Sequence, residues 1–537
     1  MTDTVAPPAP PTAAAAPAPP IPWLGLTAVL LGTFISTLNG RLSTFGLADI
    51  RGAMHAGFDE GAWITTSQTV AQMLITPVAI WAGTIYGPRR ALMAAAFAFA
   101  GISAIIPLSP NLPSLLVLQF LGGLASGFFV PLTLSFILRA VQPKYWAYGI
   151  AVYAMNLELS LNISASLEGW YVDNLSWRWI FWQNIPLAVG MLLCLRHGIA
   201  RTPPDPQRPR TDLFGLISSG AGFALIYAGL DQGNRLDWLN SGLVWGLLLS
   251  GVLLVVAFFV HEALTPQPLI NVKVVFAAPM PRLLLLIAFL RLTILSTAYL
   301  IPQYLQVVRG FRALTVGNTL LWIAGPQLII CPLAALMLRR SDPRLVSSIG
   351  FIFVAVACLM VAYNLTPLWS TDQFLPSQLL QAVGQSFALS GIVFFGILHL
   401  KPQDAITFGA AVQVARLMGG QMGQAFVVTL TRVRGQVASN LIGLHIQTGD
   451  SAVMQRLAAY GAAVRRSDPD PANAAARAQA LLGNIVRSAA STQGIIDAFV
   501  VVAGLTVLAL MIVVAHKPAP IGPASHLPLF ASRERTP

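Results

Sequence analysis

Between residues 23 and 516 the chain is a nearly unbroken series of apolar runs. Stranded inside them are three arginines (Arg41, Arg291 and Arg416) and two glutamates (Glu158 and Glu168). An ionised side chain near a bilayer centre costs roughly 2.5–3.5 kcal/mol even on a lenient insertion scale. A chain that carries several such charges keeps them facing a watery hollow or one another. The pattern therefore points to a solute pathway through a membrane.

Composition removes the alternatives. The 537 residues are 55% hydrophobic and only 10% charged, against about 25% charged for a soluble domain. No ordinary core absorbs that much apolar surface, so the bilayer is the solvent. The net charge of +12 forms no face or stripe. It sits in short turns between apolar runs, where the anionic cytoplasmic leaflet is its natural partner. Nucleic acid is excluded as a partner on that ground. Cys194, Cys331 and Cys358 lie within apolar runs, with no metal spacing and no evident pairing, and read as small core residues. The histidines are scattered and no phosphate-binding loop of the Walker type occurs. No enzyme, no metal and no cofactor is expected. The drive is an ion gradient. Residues 1–22 are rich in Ala and Pro, lack a basic n-region, and read as a disordered tail, not a signal peptide.

A span needs about 20 mostly apolar residues. About fourteen are legible, at 23–46, 62–86, 89–109, 112–139, 145–169, 177–197, 212–230, 240–261, 282–307, 315–338, 343–364, 373–398, 403–431 and 494–516. With the N-terminus inside, the inner turns collect Arg89, Arg90, Arg139, Lys144, Arg196, Arg201, Arg208, Arg210, Lys273, Arg282, Arg339, Arg340, Arg344 and Lys401. The tail 517–537 adds Lys517, Arg533 and Arg535. The short outer turns hold only Arg51, Arg178, Arg235, Arg309 and Arg312. Both termini are thus expected in the cytoplasm. Residues 432–493 form the one large piece outside the membrane, helical over 451–465 and 471–489, with a break at Asp468-Pro469-Asp470-Pro471.

Several motifs stand in order along the chain. After the second span comes Gly83-Thr84-Ile85-Tyr86-Gly87-Pro88-Arg89-Arg90. The fourth span carries Gln119-Phe120-Leu121-Gly122-Gly123 and Gly127. Next come Trp177-Arg178-Trp179, Asp212-Leu213-Phe214-Gly215 and Leu230-Asp231-Gln232-Gly233. The second half has Ile301-Pro302-Gln303-Tyr304 and Arg416-Leu417-Met418-Gly419-Gly420. The ordered set, with the span count, resembles the fourteen-span drug:proton antiporters of the EmrB/QacA type within the major facilitator superfamily, from about residue 25 to 515.

The resemblance implies an all-α polytopic membrane protein. Two six-helix bundles, residues 23–200 and 282–516, are joined by two linking spans, 212–261, with a pseudo-symmetry axis along the membrane normal. It implies an inner-membrane exporter of amphipathic organic compounds, driven by proton antiport. The partners are a small-molecule substrate, protons, a periplasmic membrane-fusion adaptor and an outer-membrane channel. Gly83, Gly87, Arg89, Arg90, Arg416, Gly419 and Gly420 take conformational or structural roles.

The sequence departs from that family where coupling is carried. The first-span aspartate is replaced by Asn39, with Arg41 two positions on. The fourth-span arginine aligns with Gln119. The fifth-span signature has become Ser164-Ala165-Ser166-Leu167-Glu168-Gly169. The gained carboxylates Glu158 and Glu168 are the candidates for proton coupling. They lie ten residues apart on one helix, about 15 Å and 80° around its axis. Arg41, Arg291, Asn39 and Gln119 are the candidate substrate-binding residues, and the two arginines favour substrates with an acidic group. Asp231, Arg235 and Asp237 read as a polar turn outside. The competing readings are a transporter-shaped receptor or assembly partner that no longer transports, and facilitated uptake.

Overall fold

The computed structural model describes residues 23–142, 145–199, 212–265, 275–277, 279–399, 405–446, 450–465 and 471–517. The two expected tails, the basic residues Lys144, Arg201, Arg208, Arg210, Lys273 and Lys401, and the break before Pro471 lie outside them.

The described chain is all-α. Helices α1 (Trp23–Phe45), α2 (Trp63–Ile85) and α3 (Pro88–Ile105) are followed by α4, which is interrupted into Leu112–Ser126 and Phe129–Ala140. Then come α5 (Trp146–Asn174) and α6 (Asn184–Gly198). The linking pair is α7 (Leu213–Gly233) and α8 (Gly242–Leu264). The second set is α9 (Met280–Thr293, continued through π turns to Val308), α10 (Ala313–Arg340), α11 (Pro343–Asn364), α12 (Leu375–Ile397), α13 (Ala405–Leu444) and α14 (Pro471–Val514). Among the described residues, eleven helical stretches are long and apolar enough to cross a membrane. The remaining three, α2, α5 and α13, are the more polar ones, because they carry Gln68 and Gln72, Glu158 and Glu168, and Arg416 and Gln421.

Local chemistry sets the helix ends. Asn111, Asp212 and Asp342 cap α4, α7 and α11, each side-chain oxygen accepting from a first-turn N–H. Gly87 adopts φ 82° before α3, a left-handed conformation that costs glycine nothing. Arg89, two residues on, donates to the Arg196 carbonyl at 2.8 Å, in the last turn of α6. A guanidinium there satisfies a carbonyl left over by the helix and complements its dipole. Arg90 is exposed.

The first six spans and the last six form the two bundles, with α7 and α8 packed as a hairpin beside them. The hairpin is closed where His261 of α8 meets the Asp212 carboxylate at 3.0 Å. The bundles meet along α5 and α10. The approach is so close that a Cβ on Gly317 would lie 2.3 Å from the Ser166 backbone, and one on Gly169 2.5 Å from that of Leu314. Gly169, the surviving glycine of the altered fifth-span motif, is therefore spent on bundle contact. Gly419 serves in the same way within the second bundle, where a Cβ would meet the Ala288 backbone at 2.4 Å.

Two sequence boundaries shift. Helix α13 does not stop at residue 431 but runs to Leu444, and α14 begins at Pro471. At 1.5 Å per residue their 40 and 44 residues are about 60 and 66 Å long, twice a hydrocarbon core of about 30 Å. The large outer segment is thus mainly a continuation of two membrane helices, with the helix Ser451–Arg465 packed on α14.

Candidate functional site

Polar residues at helical spacing bring one wall of a cavity from each of six helices. On α1, Thr37, Arg41 and Thr44 recur at three- and four-residue steps. On α2 the stripe is Thr65, Thr69 and Gln72, and on α13 it is Arg416, Gly420, Gln421 and Gln424. Such stripes lie on one face of a helix. With Leu161 of α5, Tyr227 and Asp231 of α7, and Arg291, Ile294, Leu295 and Ala298 of α9, they enclose about 170 Å³ between the bundles. All three arginines stranded in the sequence line this one space.

Each arginine is held differently. Arg41 donates through Nη2 to the Ala298 carbonyl at 3.0 Å. That oxygen is available for a chemical reason: four residues on stands Pro302, which has no N–H to return an α-helical bond. A π turn at Ser296–Leu300 marks the same place, and such turns gather at functional sites. Arg416, buried, donates to Gln413 Oε1 through Nε at 3.2 Å and Nη2 at 2.9 Å. Arg291, 15% exposed, places Nη1 3.6 Å from Oε1 of Glu158, which is fully buried. Among the described residues neither Glu158 oxygen accepts a hydrogen bond, and Arg291 Nε and Nη1 donate none. Arg41 and Arg416 also act electrostatically on that carboxylate. One buried carboxyl group thus lies within the electrostatic influence of three guanidiniums, and the contact to Arg291 joins α5 of the first bundle to α9 of the second.

The other site candidates lie elsewhere. Glu168, fully buried, packs near the end of α1, where its Oε1 would lie 3.3 Å from a Cβ on Gly46. It has no hydrogen-bond partner among the described residues. Asn39 accepts from Asn184 Nδ2 at 2.7 Å, a contact inside the first bundle. Gln119 is buried, and both its amide atoms are without a partner among the described residues. Gly83, where a Cβ would strike Leu132, supports helix packing in that bundle.

Sequence reasoning missed the contribution of the linking pair. Asp231 is not part of an exposed turn but lines the cavity, while Arg235 reaches Asp59 at 3.0 Å. A signal was available: Tyr227 and Asp231 stand one turn apart in α7, as do Thr65 and Thr69 in α2. A polar stripe of period 3–4 inside a span faces protein or water and not lipid.

This fold, wrapped round a polar hollow, belongs to a membrane transporter. The profile described as "Major Facilitator Superfamily" matches residues 29–428. The chain is 23% identical to the multidrug export protein EmrB of Haemophilus influenzae, over 78% of this chain and 82% of that one. It is 24% identical to the fatty acid resistance protein FarB of Neisseria gonorrhoeae, over 82% and 86% respectively. Among solved structures, that of the proton:xylose symporter XylE superposes with a TM-score of 0.57 at 10% identity, covering 91% of this chain and 94% of that one. The chain belongs to the major facilitator superfamily and is a multi-pass membrane protein, with multidrug export proteins among its relatives.

Proposed function

We propose that the protein exports amphipathic organic acids from the cytoplasm in exchange for protons. The observation that carries this reading is the Arg291–Glu158 pair at 3.6 Å, buried and spanning the two bundles beside a cavity walled by Arg41 and Arg416. An exchanger must move when loaded with substrate or with protons and stay still when empty. The pair supplies that rule. With Glu158 ionised and the cavity empty, the two charges hold α5 to α9. A proton on Glu158 removes one charge. A carboxylate on the solute offers Arg291 a planar, bidentate partner and removes the other. Either event frees the bundles, and each ligand releases the same contact.

The hollow of about 170 Å³ is smaller than the roughly 300–1,000 Å³ of pockets for drug-sized ligands. Loading therefore requires the bundles to part. Three guanidiniums against Asp231 on the wall favour an acidic group, and hydroxyls and amides from α1 and α2 suit a polar rim. FarB, a relative named for fatty acid resistance, supports that substrate class.

The face on which α1 begins bears Arg89, Arg90, Arg196, Arg339, Arg340 and Arg344, so we place it in the cytoplasm of an inner membrane. The opposite face carries the projecting ends of α13 and α14. That helical prominence is where a membrane-fusion adaptor leading to an outer-membrane channel would dock.

The test uses cells and inverted vesicles with fluorescein as the anionic probe and ethidium as the cationic one. Fluorescein export that collapses with the pH gradient, and falls in Arg291→Lys, is the expected result. Preferential export of ethidium, unchanged in Arg41→Ala, overturns the substrate class. Fluorescein accumulation without a gradient returns the reading to facilitated uptake. Movement of neither probe favours a receptor or assembly role.

A further inference from the structure

Asp231 belongs to a helix that a two-bundle exchanger does not need, yet it sits in the wall of the central cavity. Its oxygens are occupied from both sides. Thr66 of α2 donates to Oδ2, and Gln421 of α13 donates to Oδ1 at 2.9 Å. Gln232 reinforces the first contact, donating to Thr66 Oγ1 at 2.7 Å. One turn outward, Asn234 donates to the Ala425 carbonyl at 3.0 Å and accepts from Thr429 at 2.7 Å. The end of α7 is thus stitched to one helix of each bundle, and a single carboxylate is the centre of the seam.

We propose that Asp231 is a second proton-exchanging residue of the transport cycle, which rests on the exchange reading above. As a carboxylate it gathers Thr66 and Gln421 onto the linking span. Hydrogen bonds to an ionised acceptor are about twice as strong as neutral ones. A proton taken from the cavity turns one oxygen into an O–H, to which Thr66 must accept where it donated, and leaves the other a weaker, neutral acceptor for Gln421, so the hold between α2 and α13 is loosened. The charged and titratable neighbours can be named. On its own element they are Tyr227 and Arg235, the latter engaged by Asp59. From α1 it is Arg41 and from α13 Arg416, both across the cavity. Helix α2 presents hydroxyls there. His261 and Glu262 of α8 stand at the opposite end of the hairpin. Unlike Glu158, Asp231 is held by neutral hydrogen-bond donors, so this contact contains no cation for an anionic solute to capture.

The experiment measures the proton:fluorescein ratio from reversal potentials of the full chain in proteoliposomes. The expected result is about two protons per turnover in the wild type and about one in Asp231→Asn, with Asp231→Glu restoring the wild-type value. A ratio that is unchanged in Asp231→Asn overturns this inference and leaves the exchange reading standing. A wild-type ratio of zero overturns both. Should Asp231→Asn fail to fold, Gln421→Leu keeps the carboxylate and removes one donor. It is expected to move the pH midpoint of export by about one unit, and a profile superimposable on the wild type counts against the proposal.

Discussion

Glu158 and Glu168 lie on one helix, ten residues apart, and both are fully buried. One stands 3.6 Å from a guanidinium at the seam between bundles. The other has no cation partner among the described residues and lies against the end of α1, with Asp49 and Asp173 as its electrostatic neighbours. Burial alone therefore does not define a coupling site. What distinguishes Glu158 is a partner on the other bundle, so that in the proposed exchange cycle a change of its charge alters how the two bundles are held together.

The sharpest test of that contrast is to remove the cation. Arg291→Ala leaves Glu158 buried and unpaired, and breaking such a pair costs about 3–5 kcal/mol. The expected outcome is a strong loss of thermal stability in detergent, most of it recovered in the Arg291→Ala, Glu158→Gln double variant. Equal stability in the single and double variants would show that the pair carries no interaction. Next comes Glu158→Gln alone, expected to reduce gradient-driven fluorescein export about 100-fold or more while probe binding persists. That corresponds to about 2.7 kcal/mol. Export that keeps its pH dependence places the proton elsewhere.

Glu168→Gln is expected to do the opposite. Replacing a buried carboxyl group that has no partner should raise stability by about 1 kcal/mol, read as a shift in unfolding midpoint, with export unchanged. Uncoupled export in this variant would break the comparison outright. An effect of similar, small size is expected from Pro302→Ala. It returns an N–H that can compete with Arg41 for the Ala298 carbonyl, at a cost of about 0.5–1.5 kcal/mol. A several-fold weaker fluorescein affinity is expected, and an unchanged affinity would show that this bond does not orient Arg41.

The sequence alone determined the class of structure. Apolar runs of span length leave a chain no choice but helices in lipid, since every backbone group must be satisfied within its own segment. Arg41, Arg291 and Arg416 already announced a hollow, because charge inside a span has no affordable place facing hydrocarbon. Tertiary structure decided which charges meet. Helical period places Arg41 on a face but does not say that the face looks at the carbonyl Pro302 leaves free. Position in the span favoured Glu158 over Glu168, and only the apposition of α5 with α9 showed that Arg291 is the cation beside it. Asp231 looked like a turn residue because its neighbours Arg235 and Asp237 are polar. Its position in the cavity follows from α7 packing against α2 and α13, a long-range contact that no local pattern encodes.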